Sequence, residues 1–123
     1  MKVMLVDDSR TMRNIQKSAL VEMGVTNVVE ACDGQDALSK VKAEAPELIL
    51  LDWNMPNMDG LTFLKAFRAE NQTTTVIMVT TEAEKARVIE AIKNGVNNYI
   101  VKPFTPDIFR QRISETLAKR KAG

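Results

Sequence analysis

Leu48-Ile49-Leu50-Leu51-Asp52-Trp53-Asn54 sets four apolar residues against a closing acid. A short apolar run without alternation is what a strand covered on both faces of a parallel sheet requires. Working outward, Val3-Met4-Leu5-Val6 ends in the same way at Asp7-Asp8. Val76-Ile77-Met78-Val79 runs into Thr80, and Tyr99-Ile100-Val101 into Lys102-Pro103. Val28-Val29 is shorter and flanked by Asn27 and Glu30, which predicts an edge strand.

Helical patterns fill the intervals. The first starts near Ser9, carries Met12, Ile15, Ala19 and Met23 at helical spacing, and stops at Gly24. The second starts near Asp33 and ends before Pro46, because a residue preceding proline disfavours helix. The third follows Gly60 with Leu61, Leu64 and Phe67 on one face, and the fourth runs from about Glu82 to Asn94. Thr105 caps the fifth, with Pro106 at its first position and Phe109, Ile113 and Leu117 as its buried stripe. Strand and helix thus alternate five times, predicting one α/β domain over residues 1–123 with helices on both faces of a parallel sheet. Ligands of such sheets bind beyond the carboxyl ends of the strands.

Composition narrows the chemistry. A chain of 123 residues with 45% hydrophobic and 27% charged residues fits one globular domain. Its net charge of +1 gives no reason to expect nucleic acid or an acidic membrane as partner. The apolar start is too short for a secretory signal or a membrane span, and Cys32 is a lone cysteine, so a reducing cytoplasm is expected. With no histidine, Ser-His and Cys-His catalysis and His-based zinc sites are excluded. Carboxylates, hydroxyls and lysines must carry the chemistry.

Taken singly, the polar residues at the strand ends are ordinary: Asp8-Ser9 as a helix cap, Asp52 as a turn former, Lys102 as a solvated charge. Together, Asp7, Asp8, Asp52, Thr80 and Lys102 fall on one edge of the sheet. Like charges about 4 Å apart cost on the order of 4 kcal/mol at an effective dielectric near 20. A proton or a cation relieves that repulsion. Oxygen donors alone favour a hard ion, Mg²⁺ or Mn²⁺. Such a site suits phosphoryl transfer, with an aspartate as nucleophile and a hydroxyl and an ammonium on the phosphoryl oxygens. Asn54, two residues beyond Asp52, is placed to add a backbone carbonyl to the metal shell.

These motifs, in this order across essentially the whole chain, resemble the response-regulator receiver domains. Asp52-Trp53-Asn54-Met55-Pro56-Asn57-Met58-Asp59-Gly60 and Tyr99-Ile100-Val101-Lys102-Pro103-Phe104 are most similar to the chemotaxis branch. The resemblance implies a flavodoxin-like (βα)5 three-layer sandwich of strand order 2-1-3-4-5, without an output domain. It implies Asp52 as phosphoacceptor, Asp8, Asp52 and the Asn54 backbone as direct metal ligands, and Asp7 acting mainly through water. Thr80 and Lys102 would bind the phosphoryl group, the Lys102-Pro103 bond would be cis, and Thr80 with Tyr99 would form the switch. The implied partner surface on helix four, strand five and helix five takes in Lys85, Val88, Tyr99, Val101 and Arg112. Implied partners of this monomer are a CheA-like histidine kinase, a flagellar motor switch protein and a phosphatase; the chain would be a signalling protein that catalyses only its own phosphoryl transfer and autodephosphorylation. Asn54 and Glu82 flank the approach of water and would set the rate of loss.

A phosphorelay intermediate or a phosphate sink would carry the same site. A phosphohydrolase with an aspartate nucleophile would carry an acid two residues after it, where Asn54 stands. A flavin carrier would need a phosphate-binding loop where Asp7-Asp8 would repel its ligand.

Overall fold

A computed structural model describes residues 1–122. In chain order the elements are β1 (Lys2–Val6), α1 (Arg10–Glu22), β2 (Asn27–Ala31), α2 (Gly34–Glu44), β3 (Leu48–Leu51), α3 (Gly60–Glu70), β4 (Thr75–Thr80), α4 (Lys85–Lys93), β5 (Asn98–Val101) and α5 (Pro106–Ala122). The five strands form one parallel sheet of order β2-β1-β3-β4-β5. Every residue of β3 and β4 is buried, as their unbroken apolar runs demand, whereas edge strand β2 buries only Ala31.

Alternate residues of each strand feed two cores. Met4, Val6, Ile49, Leu51, Val76, Met78 and Tyr99 pack with Ala37, Phe63, Phe67 and Ala91 on the side of α2, α3 and α4. Val3, Leu5, Leu48, Leu50, Ile77, Val79 and Ile100 pack with Ala19, Leu20, Phe109 and Ile113 on the side of α1 and α5. Each fully buried Leu, Ile or Phe contributes about 1.5–3 kcal/mol. Because all five strands run parallel, their carboxyl ends lie along one edge of the sheet. Among the described residues, no helix is long and apolar enough to cross a membrane.

Local signals explain the helix ends. Ser9, Asp33, Asp59 and Thr105 each accept a backbone N–H from the first turn of the helix that follows. Gly24 supplies the positive φ, +82°, that closes α1. Three details differ from the sequence expectation. Helix α4 starts at Lys85 rather than Glu82, because the Glu82 backbone N–H and carbonyl are engaged by Thr80 and Tyr99. Ile15 is 45% exposed, since α1 turns Gln16, Ala19 and Leu20 inward instead. In α3 the buried side chains are those of Phe63, Leu64 and Phe67, with Leu61 only half-buried. Lys119 and Arg120 are exposed, and the Lys121 side chain lies outside the described residues.

One close approach ties α3 to the end of β3. Gly60 donates its N–H to the Trp53 carbonyl at 2.8 Å, and a Cβ on Gly60 would stand 2.0 Å from the Asp52 carbonyl oxygen. Backbone cannot give way as a side-chain tip can. Gly60→Ala is expected to destabilise the fold by about 1–3 kcal/mol, read from urea unfolding. An unchanged midpoint would show that α3 can withdraw without cost.

Candidate functional site: an acid-lysine cluster at the strand ends

The strand pairing overruns the strands by one residue and so fixes the backbone of the cluster. The Asp7 N–H donates to the Ala31 carbonyl (3.1 Å), the Asp52 N–H to Val6 (2.9 Å), and the Lys102 N–H to Thr80 (2.8 Å). Asp7 Oδ1 accepts the Ser9 N–H at 2.8 Å, which couples the acid pair to the cap of α1. Asp52 Oδ1 accepts the Trp53 N–H at 2.7 Å. The Lys102-Pro103 peptide bond is cis.

Above this frame, Lys102 Nζ lies 2.7 Å from Asp7 Oδ2 and 3.2 Å from Asp52 Oδ2. Asp7 and Asp52 are buried and Asp8 is exposed, yet one carboxylate oxygen from each lies within 4.8 Å of the others. Three carboxylates against one ammonium leave two negative charges when all are ionised. Burial pushes the Asp52 carboxyl above its ordinary value; the Lys102 ammonium and the Thr80 hydroxyl oppose that shift, and Asp7 adds to it. Such an all-oxygen, doubly negative cluster, open to solvent on the Asp8 side, could hold a metal ion and fits a hard divalent one.

Beside it, Thr80 is fully buried, and its Oγ1 accepts the Glu82 N–H at a long 3.4 Å. The Tyr99 hydroxyl donates to the Glu82 carbonyl at 2.7 Å. Burial and the nearby Glu82 carboxylate push that phenol up to about 12, so it remains a donor throughout the neutral range. The Asn54 amide donates to Glu82 Oε1 at 3.1 Å. Three residues around the cluster thus converge on Glu82, in the loop between β4 and α4.

The expected partner residues divide. Lys85, Val101 and Arg112 are exposed, while Val88 is half-buried against the core. Tyr99 is turned inward and only 9% exposed, so in this conformation it belongs to the interior behind Thr80 and not to the surface. Sequence reasoning missed Arg13, which donates to the Asp7 carbonyl, and Arg87, whose guanidinium lies 5.2 Å from the Trp53 ring centroid. No local pattern marks either, since each meets its partner only through the fold. A concavity of about 400 Å³ beside Arg68, Lys93 and Asn97 lies at the opposite end of β5 from Lys102. There the Arg68 guanidinium is taken up by Gly95, Asn71 and Asn97, so the cluster at the strand ends remains the chemically equipped site.

Residues 3–114 match the family model of the response regulator receiver domain. The chain is 48% identical over 120 residues to chemotaxis protein CheY1 of Helicobacter pylori, spanning 95% of this chain and 97% of that protein. It is also 48% identical to a chemotaxis protein CheY homolog of Campylobacter jejuni, over 95% and 92%. Among solved structures, a CheY-like receiver domain protein of Methanospirillum hungatei superposes with a TM-score of 0.89 at 26% identity, covering 98% of this chain and 96% of that one. Chemotaxis protein CheY4 of Vibrio cholerae gives a TM-score of 0.85 at 33% identity, covering 94% and 97%.

An acid whose pKa rises on folding favours the folded state only while protonated. In chelator, the fold therefore loses stability as pH climbs from the unfolded value of Asp52, about 3.9, through its raised folded value. Asp52→Asn removes that loss. Its urea midpoint in EDTA should exceed the parent's at pH 7, with the gain vanishing below about pH 3.5. A lower midpoint at pH 7 would show that the Lys102 contact outweighs the burial.

Proposed function

Because this chain belongs to the response regulator receiver domain family, we propose that it is a two-component response regulator of chemotaxis type, phosphorylated on Asp52 with Mg²⁺ as cofactor. It is a signalling protein rather than a classical enzyme. The observation that carries the proposal is Lys102 bridging Asp7 and Asp52 beside the exposed Asp8, a cluster two positive charges short of neutrality. Its mouth is open to a donor, and no second domain is needed to cover it.

Each residue then has a role. Asp52 supplies the nucleophilic oxygen, which attacks phosphorus as the bond from phosphorus to the donor's leaving group breaks. The leaving group is the imidazole nitrogen of a phosphohistidine on a CheA-like histidine kinase, or the carboxylate of a small acyl phosphate. Asp8, Asp52 and Asn54 would hold the Mg²⁺, with Asp7 behind them. When bound, the ion supplies charge neutralisation for the carboxylates and the phosphoryl oxygens. Lys102 binds a phosphoryl oxygen once Asp52 has been esterified, and the Thr80 hydroxyl binds another.

The switch follows from what Thr80 must leave. Moving its hydroxyl toward the phosphoryl group gives up the 3.4 Å contact to Glu82, the residue that also anchors Tyr99 and Asn54. Repositioning that loop alters α4 and the surface around Lys85, Val88, Val101 and Arg112, which we assign to a flagellar motor switch protein. The 48% identity to chemotaxis proteins over nearly their whole length favours this listener over a phosphorelay partner. A cytoplasmic location follows from the proposed partners.

Incubated with Mg²⁺ and labelled acetyl phosphate, the parent should acquire an acid-labile label that Asp52→Ala abolishes. Equal labelling of the variant sinks the assignment. With beryllofluoride, a phosphoryl mimic, the parent should retain a motor switch protein that it does not retain without the mimic. Retention of a histidine phosphotransfer protein instead would overturn the motor assignment in favour of a relay.

A further inference from the structure

Asp8 is the outermost acid of the cluster, and its carboxylate makes no hydrogen bond among the described residues. Its direction is therefore set by the backbone on either side. On the amino side, that backbone is held by the Asp7 N–H on Ala31. On the carboxyl side, Ser9 caps α1. Between them, the Asp7 carbonyl is held by a side chain from the second turn of α1: Arg13 Nη1 donates to it at 2.5 Å.

Arg13 is in turn anchored from the edge of the sheet. Its Nε lies 2.8 Å from Glu30 Oε1, and its side chain is 14% exposed. Lys17 Nζ holds the other Glu30 oxygen at 3.0 Å, and Lys40 Nζ reaches the Glu30 backbone carbonyl at 2.9 Å. A chain of contacts thus runs from α2 and β2 through Glu30 and Arg13 to the peptide joining Asp7 to Asp8. A planar guanidinium can serve a carboxylate and a carbonyl at once from a fixed fork, which a lysine ammonium does less well.

We propose that Arg13, anchored by Glu30, is a positioning residue for the divalent cation, holding the Asp7-Asp8 turn so that the Asp8 carboxylate faces Asp7 and Asp52. The inference rests on the reading of those three carboxylates as a cation site. Positioning and electrostatics predict opposite signs. Arg13 is a cation beside a cation site, so if it acted only through its charge, neutralising it would tighten Mg²⁺ binding. If it acts by orienting the turn, neutralising it weakens binding, and groups that orient metal ligands typically matter by ten-fold or more.

The test is Mg²⁺ titration of the parent, Arg13→Met, Arg13→Lys, Glu30→Gln, the Arg13→Met/Glu30→Gln double variant and Asp8→Ala. Binding is read by calorimetry and by fluorescence of Trp53, the single tryptophan, whose backbone N–H donates to Asp52 Oδ1. Urea midpoints in EDTA are measured alongside. Arg13→Met should raise the Mg²⁺ Kd about ten-fold and Arg13→Lys by less. Glu30→Gln should weaken binding in the parent but add nothing in the Arg13→Met background. An Arg13→Met Kd equal to or below the parent's overturns the proposal, even if the EDTA midpoint falls, because the residue would then be merely structural or merely a charge. Should that variant not fold, Glu30→Gln with the parent's Kd overturns it equally. If Asp8→Ala binds Mg²⁺ like the parent, or the parent shows no saturable binding, the cation site itself fails; if Asp8→Ala alone loses binding, only the role of Arg13 falls.

Discussion

Lys102 reaches from the end of β5 to two buried carboxylates, Asp7 beyond β1 and Asp52 beyond β3, across the intervening β4. Its side chain is 10% exposed, so the contact is made largely out of water. Burying such charges costs several kcal/mol per ion, which their attraction offsets only when the geometry is good. Here the geometry is inherited from the sheet, because each of the three residues is hydrogen-bonded one step past its strand. Without Lys102, two neighbouring buried acids would face each other unpaired, and breaking a buried pair of this kind costs about 3–5 kcal/mol. The same lysine leaves the cluster short of neutrality, so the site is stable enough to fold and still attractive to a cation. The proposed phosphoacceptor, cation site and switch all require this partial compensation.

Much of this could be read along the chain because the sheet is parallel. A continuous apolar run identifies a doubly covered strand, and in a parallel sheet every such run ends on the same edge, so Asp7, Asp52, Thr80 and Lys102 could be gathered without knowing a single contact. Helix caps were equally local, as Ser9, Asp33, Asp59 and Thr105 show. What escaped depends on distance in sequence. The start of α4 moved to Lys85 because the Glu82 carbonyl is claimed by Tyr99, 17 residues away. Ile15 shares a helical spacing with Met12 and Ala19, but the sheet meets α1 along Gln16, Ala19 and Leu20. Arg13 looked like any polar residue in the first turns of a helix until β2 brought Glu30 beside it.

The loop at Glu82 is where local chemistry could become a change of surface. Its backbone N–H is held only weakly by Thr80, at 3.4 Å, while its carbonyl holds the Tyr99 hydroxyl firmly at 2.7 Å. A ligand shifts a two-state equilibrium only by its differential affinity for the two states. Taking a protein from 1:99 to 99:1 requires about 5.5 kcal/mol. In the proposed cycle that difference comes from charge-assisted bonds of the phosphoryl oxygens to Lys102 and Thr80, set against the weak contact that Thr80 gives up. Tyr99 lies inward and is tied to the Glu82 carbonyl. The proposed rearrangement therefore centres on the loop that Thr80 and Tyr99 both contact.

The central claim is that Asp52, of the three clustered acids, carries the phosphoryl group. An aspartyl phosphate is reduced by borohydride to homoserine, which marks the site covalently. After phosphorylation in Mg²⁺ and borohydride treatment, peptide mass spectrometry should find homoserine at position 52 and aspartate intact at positions 7 and 8. Homoserine at position 7 or 8, or at none of the three, would contradict the account.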